Sequence, residues 1–169
     1  MRRGALTALV VAGVLAAAGC SKGADKAQPQ IPTSLCGVTV DPDVLRPVLV
    51  PGDAVATSGA NSRCGVQVDG KSILSLQSAP YPASKDYRAT WDWQMPHGTP
   101  VSIGDEGRAV DTFVSAARKC KVGAENRIFV ASVERFSTQG GDAAARKEAL
   151  TRFMAAYFPA AQKAAGCTA

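Results

Sequence analysis

The chain has 169 residues and a formal net charge of +5, and its basic residues are scattered rather than gathered into one run. Scattered charge argues against nucleic-acid binding. His97 is the single histidine, which limits acid–base and metal chemistry because histidine is the commonest catalytic base and metal ligand. No sequence motif of the common exported hydrolases is present. We therefore predict no enzyme activity, no cofactor, no metal site and no nucleic-acid partner.

The first residues are typical of a bacterial export signal. Arg2 and Arg3 precede an apolar run over residues 5–18, which is shorter than the roughly 20 residues that span a bilayer. The sequence Leu-Ala-Ala-Ala-Gly-Cys over residues 15–20 resembles a lipobox, in which the Cys20 thiol receives diacylglycerol. Cleavage after an Ala-x-Ala site, with no lipid, is the alternative. We expect residues 1–19 to be a lipoprotein signal peptide and Cys20 to hold the protein on the outer face of the cell membrane.

The residues after Cys20 predict a flexible tether followed by one folded domain. Residues 20–34 are rich in Ser, Lys, Gly, Ala, Gln and Pro, and such a composition buries too little apolar surface to fold. Residues 35–169 have the commonest size of a single domain. Removal of the two signal arginines lowers the Lys plus Arg count from 19 to 17 against 14 acidic residues, so the net charge falls to about +3.

The predicted domain has an even number of cysteines, which in an exported chain indicates disulfide bonds. These cysteines are Cys36, Cys64, Cys120 and Cys167. Three pairings are possible, and we favour Cys36–Cys64 with Cys120–Cys167 because each bridge would tie a helix to a neighbouring strand. No Cys-x-x-Cys pair suggests zinc or redox chemistry.

The first predicted elements are a short helix and a hairpin. Asp41 is a suitable N-cap, with Pro42 at the first helical position. Residues 62–68 and 72–77 predict two strands around Asp69-Gly70, a strong tight-turn signal.

Three further strands are predicted in the middle of the chain. Residues 88–95 alternate, with Trp91 and Trp93 on one side, as in a half-buried strand. Residues 109–117 and 127–136 predict two more, although the first also fits helical spacing. Residues 104–107, Gly-Asp-Glu-Gly, predict a tight turn between the loop and these strands.

The clearest predicted element is a helix over residues 142–158, capped by Asp142 and ended or kinked by Pro159. Its apolar positions form one stripe facing a core. The stripe consists of Leu150, Phe153, Met154, Tyr157 and Phe158. Together these elements predict an α+β fold, in which an antiparallel sheet of about five strands is covered on one face by a short N-terminal and a long C-terminal helix and is stapled by disulfides.

These features together resemble a family of actinobacterial secreted lipoproteins classed as a domain of unknown function. The resemblance rests on the lipobox and tether, a cysteine before a short helix, a second on the opening hairpin, the Gly-Asp-Glu-Gly segment and the strand–helix ending. In that family Gly-Asp-Glu is typically followed by Ala, where this chain has Gly107. The resemblance implies a membrane-anchored extracytoplasmic protein and supplies no catalytic residues.

The candidate binding residues are Trp93, His97, Asp105 and Glu106. Trp91 and Trp93 belong either to the core or to a surface that stacks on a sugar or holds a peptide. Asp105-Glu106 either binds a cation or lies in a turn with its acids facing water. Because loops on a stapled scaffold often carry binding residues, we expect a partner site near residues 96–100 and 104–107.

We therefore expect a non-catalytic binding module that is anchored to the membrane and recognises an envelope protein first. The alternatives are an enzyme or accessory factor acting on cell-wall glycan, and a carrier of small apolar ligands with a pocket between sheet and helix.

The anchor prediction is testable at one residue. Cys20→Ser should release the protein into the medium or leave it unprocessed, because the serine hydroxyl cannot form the thioether to diacylglycerol. Membrane fractionation with immunodetection measures this. A Cys20→Ser protein that is still processed and stays with the membrane would contradict the anchor.

Overall fold

The computed structural model describes residues 30–60, 62–86 and 98–168, and most of them build an antiparallel sheet of seven strands. A separate two-stranded sheet pairs β1 (Ser34–Leu35) with β2 (Val38–Thr39). The large sheet contains β3 (Val55–Ala60), β4 (Arg63–Val68), β5 (Lys71–Pro82), β6 (Thr99–Pro100), β7 (Glu106–Ala109), β8 (Phe113–Val122) and β9 (Glu125–Arg135). Its spatial order is β3-β4-β5-β9-β8-β7-β6.

Two helical segments accompany the sheet in the described ranges. The short one is α1 (Pro42–Leu45), which continues as a 3-10 turn over Arg46–Val48. The long one is α2 (Ala143–Ala164), and its N-cap Asp142 accepts a hydrogen bond from the Ala145 N–H at 2.8 Å, as predicted. No helix in these ranges is both long and apolar enough to span a bilayer.

The core lies between α2 and one face of the sheet. All five residues of the predicted helical stripe are buried, so this prediction is confirmed. Phe158 meets Phe129 of β9 edge to face, with ring centroids 5.3 Å apart, and Phe153 stacks on Tyr157. Aromatic pairs in these orientations add to the free energy of burial.

Two tight turns shape the hairpins on the β4 side. Asp69 and Gly70 have φ angles of 49° and 75°, and they join β4 to β5 as the sequence predicts. Cys36 and Gly37, with φ angles of 50° and 92°, join β1 to β2 in the same way. Two successive positive φ angles match the right-handed twist of the strands that they connect.

The predicted five-strand α+β fold is wrong, because the large sheet has seven strands and a second, two-stranded sheet accompanies it. Strand β3 was missed because its sequence, Val-Ala-Thr-Ser-Gly-Ala, lacks alternation and is exposed from Ala56 to Ala60. Strand β7 begins at Glu106, inside the segment predicted as a turn. The predicted strand over residues 88–95 lies outside the described residues.

Several predicted boundaries also differ from the structure. Strand β8 begins at Phe113 instead of residue 109, because Ala109 belongs to β7. Strand β5 runs past Gln77 to Pro82. Helix α2 continues through Pro159 to Ala164. Because proline has no N–H, the Ala155 carbonyl loses its helical donor. The helix tolerates this loss because both residues are exposed.

Both disulfides are formed in the favoured pairing. Cys36 pairs with Cys64 and Cys120 with Cys167, with Cα–Cα distances of 5.7 Å and 5.5 Å. The second bridge ties the chain that follows α2 to β8, as the prediction requires. The first ties the turn of the β1–β2 hairpin to β4, so its anchored element is a hairpin and not a helix.

Two arginines hold the loop between β9 and α2. Arg135 is only 3 % exposed, and its guanidinium donates to the carbonyls of Val48, Ser137 and Gln139. Its pKa lies below the ordinary value, because burial disfavours the charge and the nearby Arg146 repels it, while Asp111 acts in the opposite direction.

Arg146 completes this arrangement from the first turns of α2. Its guanidinium donates to the carbonyls of Thr138 and Gly141 at 3.0 Å and 2.7 Å and pairs with Asp111. The start of α2 is therefore fixed to the end of β9 by charged hydrogen bonds to backbone, which are stronger than neutral ones.

Replacing Arg135 by Met should lower the free energy of unfolding by about 3 kcal/mol, because three carbonyls lose a charged donor. Arg152→Met is the matched control, since Arg152 is exposed and pairs only with Glu148 one helical turn away, and its loss should stay below about 0.5 kcal/mol. Urea unfolding of the oxidised protein at pH 7 measures both. Equal losses for the two variants would contradict the structural role of Arg135.

Candidate functional site

A cleft of about 380 Å³ lies between the β1–β2 hairpin, β5 and the end of α2, and we call it the hairpin–helix cleft. Three groups of residues line it, one from each element, together with Ser62 before β4. The lining residues are Cys36, Gly37, Val38, Ser62, Ser78, Ala79, Pro80, Ala161, Ala164 and Ala165. None of these side chains carries a charge.

The cleft exists because the helix changes character along its length. The large side chains of the apolar stripe fill the space between α2 and the sheet as far as Phe158. Over the next turn the residues that face the hairpin are Ala161, Ala164 and Ala165. A methyl group cannot reach across the same distance, so space is left between helix and strand.

Hydroxyl groups supply the polar side chains of the cleft. Ser62 and Ser78 line it, and the Ser78 N–H donates to the Ser62 carbonyl at 2.9 Å. The Ser78 hydroxyl also forms a hydrogen bond with the phenol of Tyr157, which is 2 % exposed. Burial raises the pKa of Tyr157, and this hydrogen bond opposes the rise.

The backbone of β5 along this wall offers carbonyl acceptors and lacks free N–H donors. Strand β4 stops pairing at Arg63, opposite Gln77, so β5 has a free side beyond Ser78. The Ser78 N–H points to this side, and alternation along the strand turns Pro80 and Pro82 the same way. Because proline has no N–H, this side presents only carbonyl oxygens.

These features define what the cleft can do chemically. Among the described residues no acid, base or nucleophilic thiol lines it, and Cys36 is held in a disulfide. Its apolar walls can exclude water from a ligand, and its carbonyls and hydroxyls can accept hydrogen bonds from that ligand. The described residues also contain no group of three or more His, Cys, Asp or Glu side chains that could hold a metal ion.

The structure places only part of the predicted partner site. Trp93 and His97 lie outside the described residues. Asp105 lies in the bend before β7, and Glu106 is the first residue of that strand. The structure therefore does not test whether the four residues form one surface.

Asp105 has a role within the fold that the sequence did not predict. Its carboxylate accepts a hydrogen bond from the Lys119 N–H at 2.8 Å and lies 3.7 Å from Arg118 Nε. Gly104 allows the close approach, because its φ is 69° and a Cβ there would lie 2.4 Å from the Ala117 carbonyl oxygen. Asp105 is exposed to water, and its carboxylate also fastens the bend to β8.

Sequence reasoning missed the residues of the hairpin–helix cleft. Two signals point to it in retrospect. One is the change from large to small residues at the end of α2, and the other is the Pro-x-Pro pattern of Pro80 and Pro82. Neither signal shows which element stands opposite, since that depends on the tertiary structure.

Comparison with known proteins gave no match: no family model fits the chain, and no similar curated protein or solved structure was found. The resemblance to secreted actinobacterial lipoproteins stays a prediction.

The burial of the Tyr157 phenol predicts a pH dependence of stability. Since the folded state raises the pKa of Tyr157, the associated stability is fully present below the unfolded pKa of about 10 and is lost as the pH rises through the folded value. Tyr157→Phe should lower the free energy of unfolding by about 1 kcal/mol at pH 7, because the Ser78 hydroxyl loses its hydrogen-bond partner. The variant should also lose stability less steeply as the pH becomes alkaline.

Urea unfolding at pH 7 and at alkaline pH measures this difference. Ser78→Ala is the control, because it removes the same hydrogen bond and keeps the buried phenol, so its alkaline loss should be at least as steep as that of the wild type. An unchanged pH dependence in Tyr157→Phe would contradict the assignment.

Proposed function

We propose that this protein is an extracytoplasmic binding protein, anchored through Cys20, that takes a small, uncharged and mainly apolar ligand into the hairpin–helix cleft. The observation that carries the proposal is the cleft itself, with a volume of about 380 Å³ and no charge on the described residues that line it. Small-molecule sites are typically concave, mostly apolar and of about 300–1,000 Å³, with a few polar groups that orient the ligand.

The polar groups of the cleft support a particular ligand chemistry. The free side of β5 offers the Pro80 carbonyl and has no N–H, and the serine hydroxyls can also accept hydrogen bonds. A ligand with an amine or hydroxyl donor satisfies these groups. A carboxylate would meet carbonyl oxygens without a cation to balance its charge, so anionic ligands are disfavoured.

The lining also supports binding over catalysis. Acid–base and covalent mechanisms need a titratable or nucleophilic side chain beside the reacting atoms. The residues around the hairpin–helix cleft are Ala, Gly, Val, Pro, Ser and a disulfide-bonded Cys. Ser78 is partnered by Tyr157, and none of the described lining residues is a histidine, lysine or carboxylate that would activate its hydroxyl.

A neutral fluorescent probe tests the proposal directly. We expect 1-aminoanthracene, which is apolar and carries an amine donor, to bind saturably with a rise in fluorescence. Ala164→Phe should weaken its binding by about tenfold or more, because the ring fills the space between α2 and the hairpin. Ala156→Phe places the same ring at an exposed helix position that does not line the cleft, and it should bind the probe as the wild type does.

The charge preference and the fate of the ligand complete the test. Anthracene-1-carboxylate should bind more weakly than the amine, and bound 1-aminoanthracene should be recovered chemically unchanged. Equal affinities in the two phenylalanine variants would reject the hairpin–helix cleft as the site. Turnover of an envelope substrate by the purified protein would reject the non-catalytic function.

A further inference from the structure

The outer edge of β3 is an open strand edge. Strand β3 is the first strand of the large sheet, and among the described strands only β4 pairs with it. Its residues from Ala56 to Ala60 are exposed, and the strand contains neither a proline nor a charged residue. Exposed edges of this kind pair readily with another extended chain, and proteins usually block them with prolines, charges or very short strands.

The direction of the free backbone groups follows from one hydrogen bond. The Ala54 carbonyl accepts from the Asp69 N–H at 2.9 Å and therefore points toward β4. Alternation along an antiparallel strand then turns the N–H and C=O groups of Val55 and Thr57 outward. No described residue forms a hydrogen bond with these outward groups.

The other free edges of the described sheet are blocked. Strand β6, at the opposite end, has only two residues and ends in Pro100. The free side of β5 beyond Ser78 carries Pro80 and Pro82, which have no N–H. Among the described edge strands of the large sheet, only β3 keeps both donors and acceptors available, and this difference indicates an interaction surface.

A shallow groove continues from this edge. It has a volume of about 670 Å³ and is lined by residues 30–33, Pro42, Arg46 and Val55. Val55 therefore belongs both to the strand edge and to the groove. Arg46 is exposed and is the only charged residue among the described residues that line the groove. A chain that pairs with β3 and runs on past Val55 enters a groove with one positive charge.

We propose that β3 binds an extended, acidic segment of another envelope protein by strand addition. The segment's backbone pairs with the outward groups of Val55 and Thr57, and one of its carboxylates meets Arg46. Main-chain hydrogen bonds supply affinity in this mode of recognition, and side-chain contacts supply specificity. This surface shares no residue with the hairpin–helix cleft.

A second copy of this chain fits the edge less well. Symmetric pairing centred on Thr57 would place Val55 of one copy opposite Gly59 of the other. Gly59 has a φ of 96°, which departs from strand geometry and interrupts the ladder. Self-pairing would also place each Arg46 groove beside the far end of the other copy's β3, and that strand carries no acid to meet the arginine.

The experiment uses the full mature chain in detergent and a fluorescein-labelled peptide, Thr-Val-Thr-Val-Thr-Glu, with a Lys version of the last residue as its charge control. We expect saturable binding by fluorescence anisotropy, at least about threefold tighter for the Glu peptide. Thr57→Pro should weaken binding by about tenfold or more, because it removes an outward N–H and no ladder bond. Thr57→Val keeps the N–H and should bind as the wild type does.

Two further measurements identify what covers the edge. Hydrogen exchange at Val55 and Thr57 should slow when the peptide is added. Protection that grows with protein concentration without peptide would show a second copy, and protection in dilute protein without peptide would show another part of the same chain. Either result overturns the proposal, as does the absence of saturable peptide binding.

Two variants keep the test decisive. If circular dichroism shows that Thr57→Pro does not fold, the Arg46→Glu variant provides the test. This variant should bind the Lys peptide more tightly than the Glu peptide. An unchanged preference for the Glu peptide would overturn the proposal. Ala164→Phe should bind the peptide normally, and Thr57→Pro should bind 1-aminoanthracene normally. Failure at β3 is thereby distinguished from failure at the hairpin–helix cleft.

Discussion

The packing of α2 across β5, β9 and β8 is the contact on which the rest of the structure depends. The large sheet is covered there by a single long helix, and the stripe from Leu150 to Phe158 supplies its buried side chains. The helix is held at both ends. Arg135 and Arg146 fix its start to the loop after β9, and the Cys120–Cys167 bridge fixes the chain after it to β8. A helix held at both ends cannot slide along the sheet, so its side chains keep their positions over particular strands.

The edges of the large sheet differ in how well they are blocked against pairing with another chain. A two-residue strand with a proline ends one side, and Pro80 with Pro82 removes the donors from the free part of β5. Proline costs little stability at positions 80 and 82 of β5, because an N–H at either position would have faced away from β9. The same reasoning makes the uncharged, proline-free β3 notable, because an unblocked edge is a hazard unless something covers it.

Local signals in the sequence explain which parts of the fold could be predicted. The α2 stripe and the Asp69-Gly70 turn are contained within a few residues, and both were predicted correctly. Strand β3 has small residues exposed on both faces and is a strand only because β4 lies beside it. Strand β7 begins in a glycine-rich segment that reads as a turn, since the bonds that extend it come from β8. Such elements depend on neighbours distant in sequence.

The candidate site was unpredictable for the same reason, although its cause is simple. A cleft needs two surfaces that are held apart, and here large residues set the distance while small ones fail to fill it. Phe129 and Phe158 fix the separation of helix and sheet, and one turn later Ala161 and Ala164 face the hairpin. The Cys36–Cys64 bridge holds the hairpin turn to β4, so the hairpin cannot collapse onto the alanines. The space is thus maintained by covalent and aromatic contacts around it, and the proposed preference for a neutral ligand depends on that maintained, uncharged space.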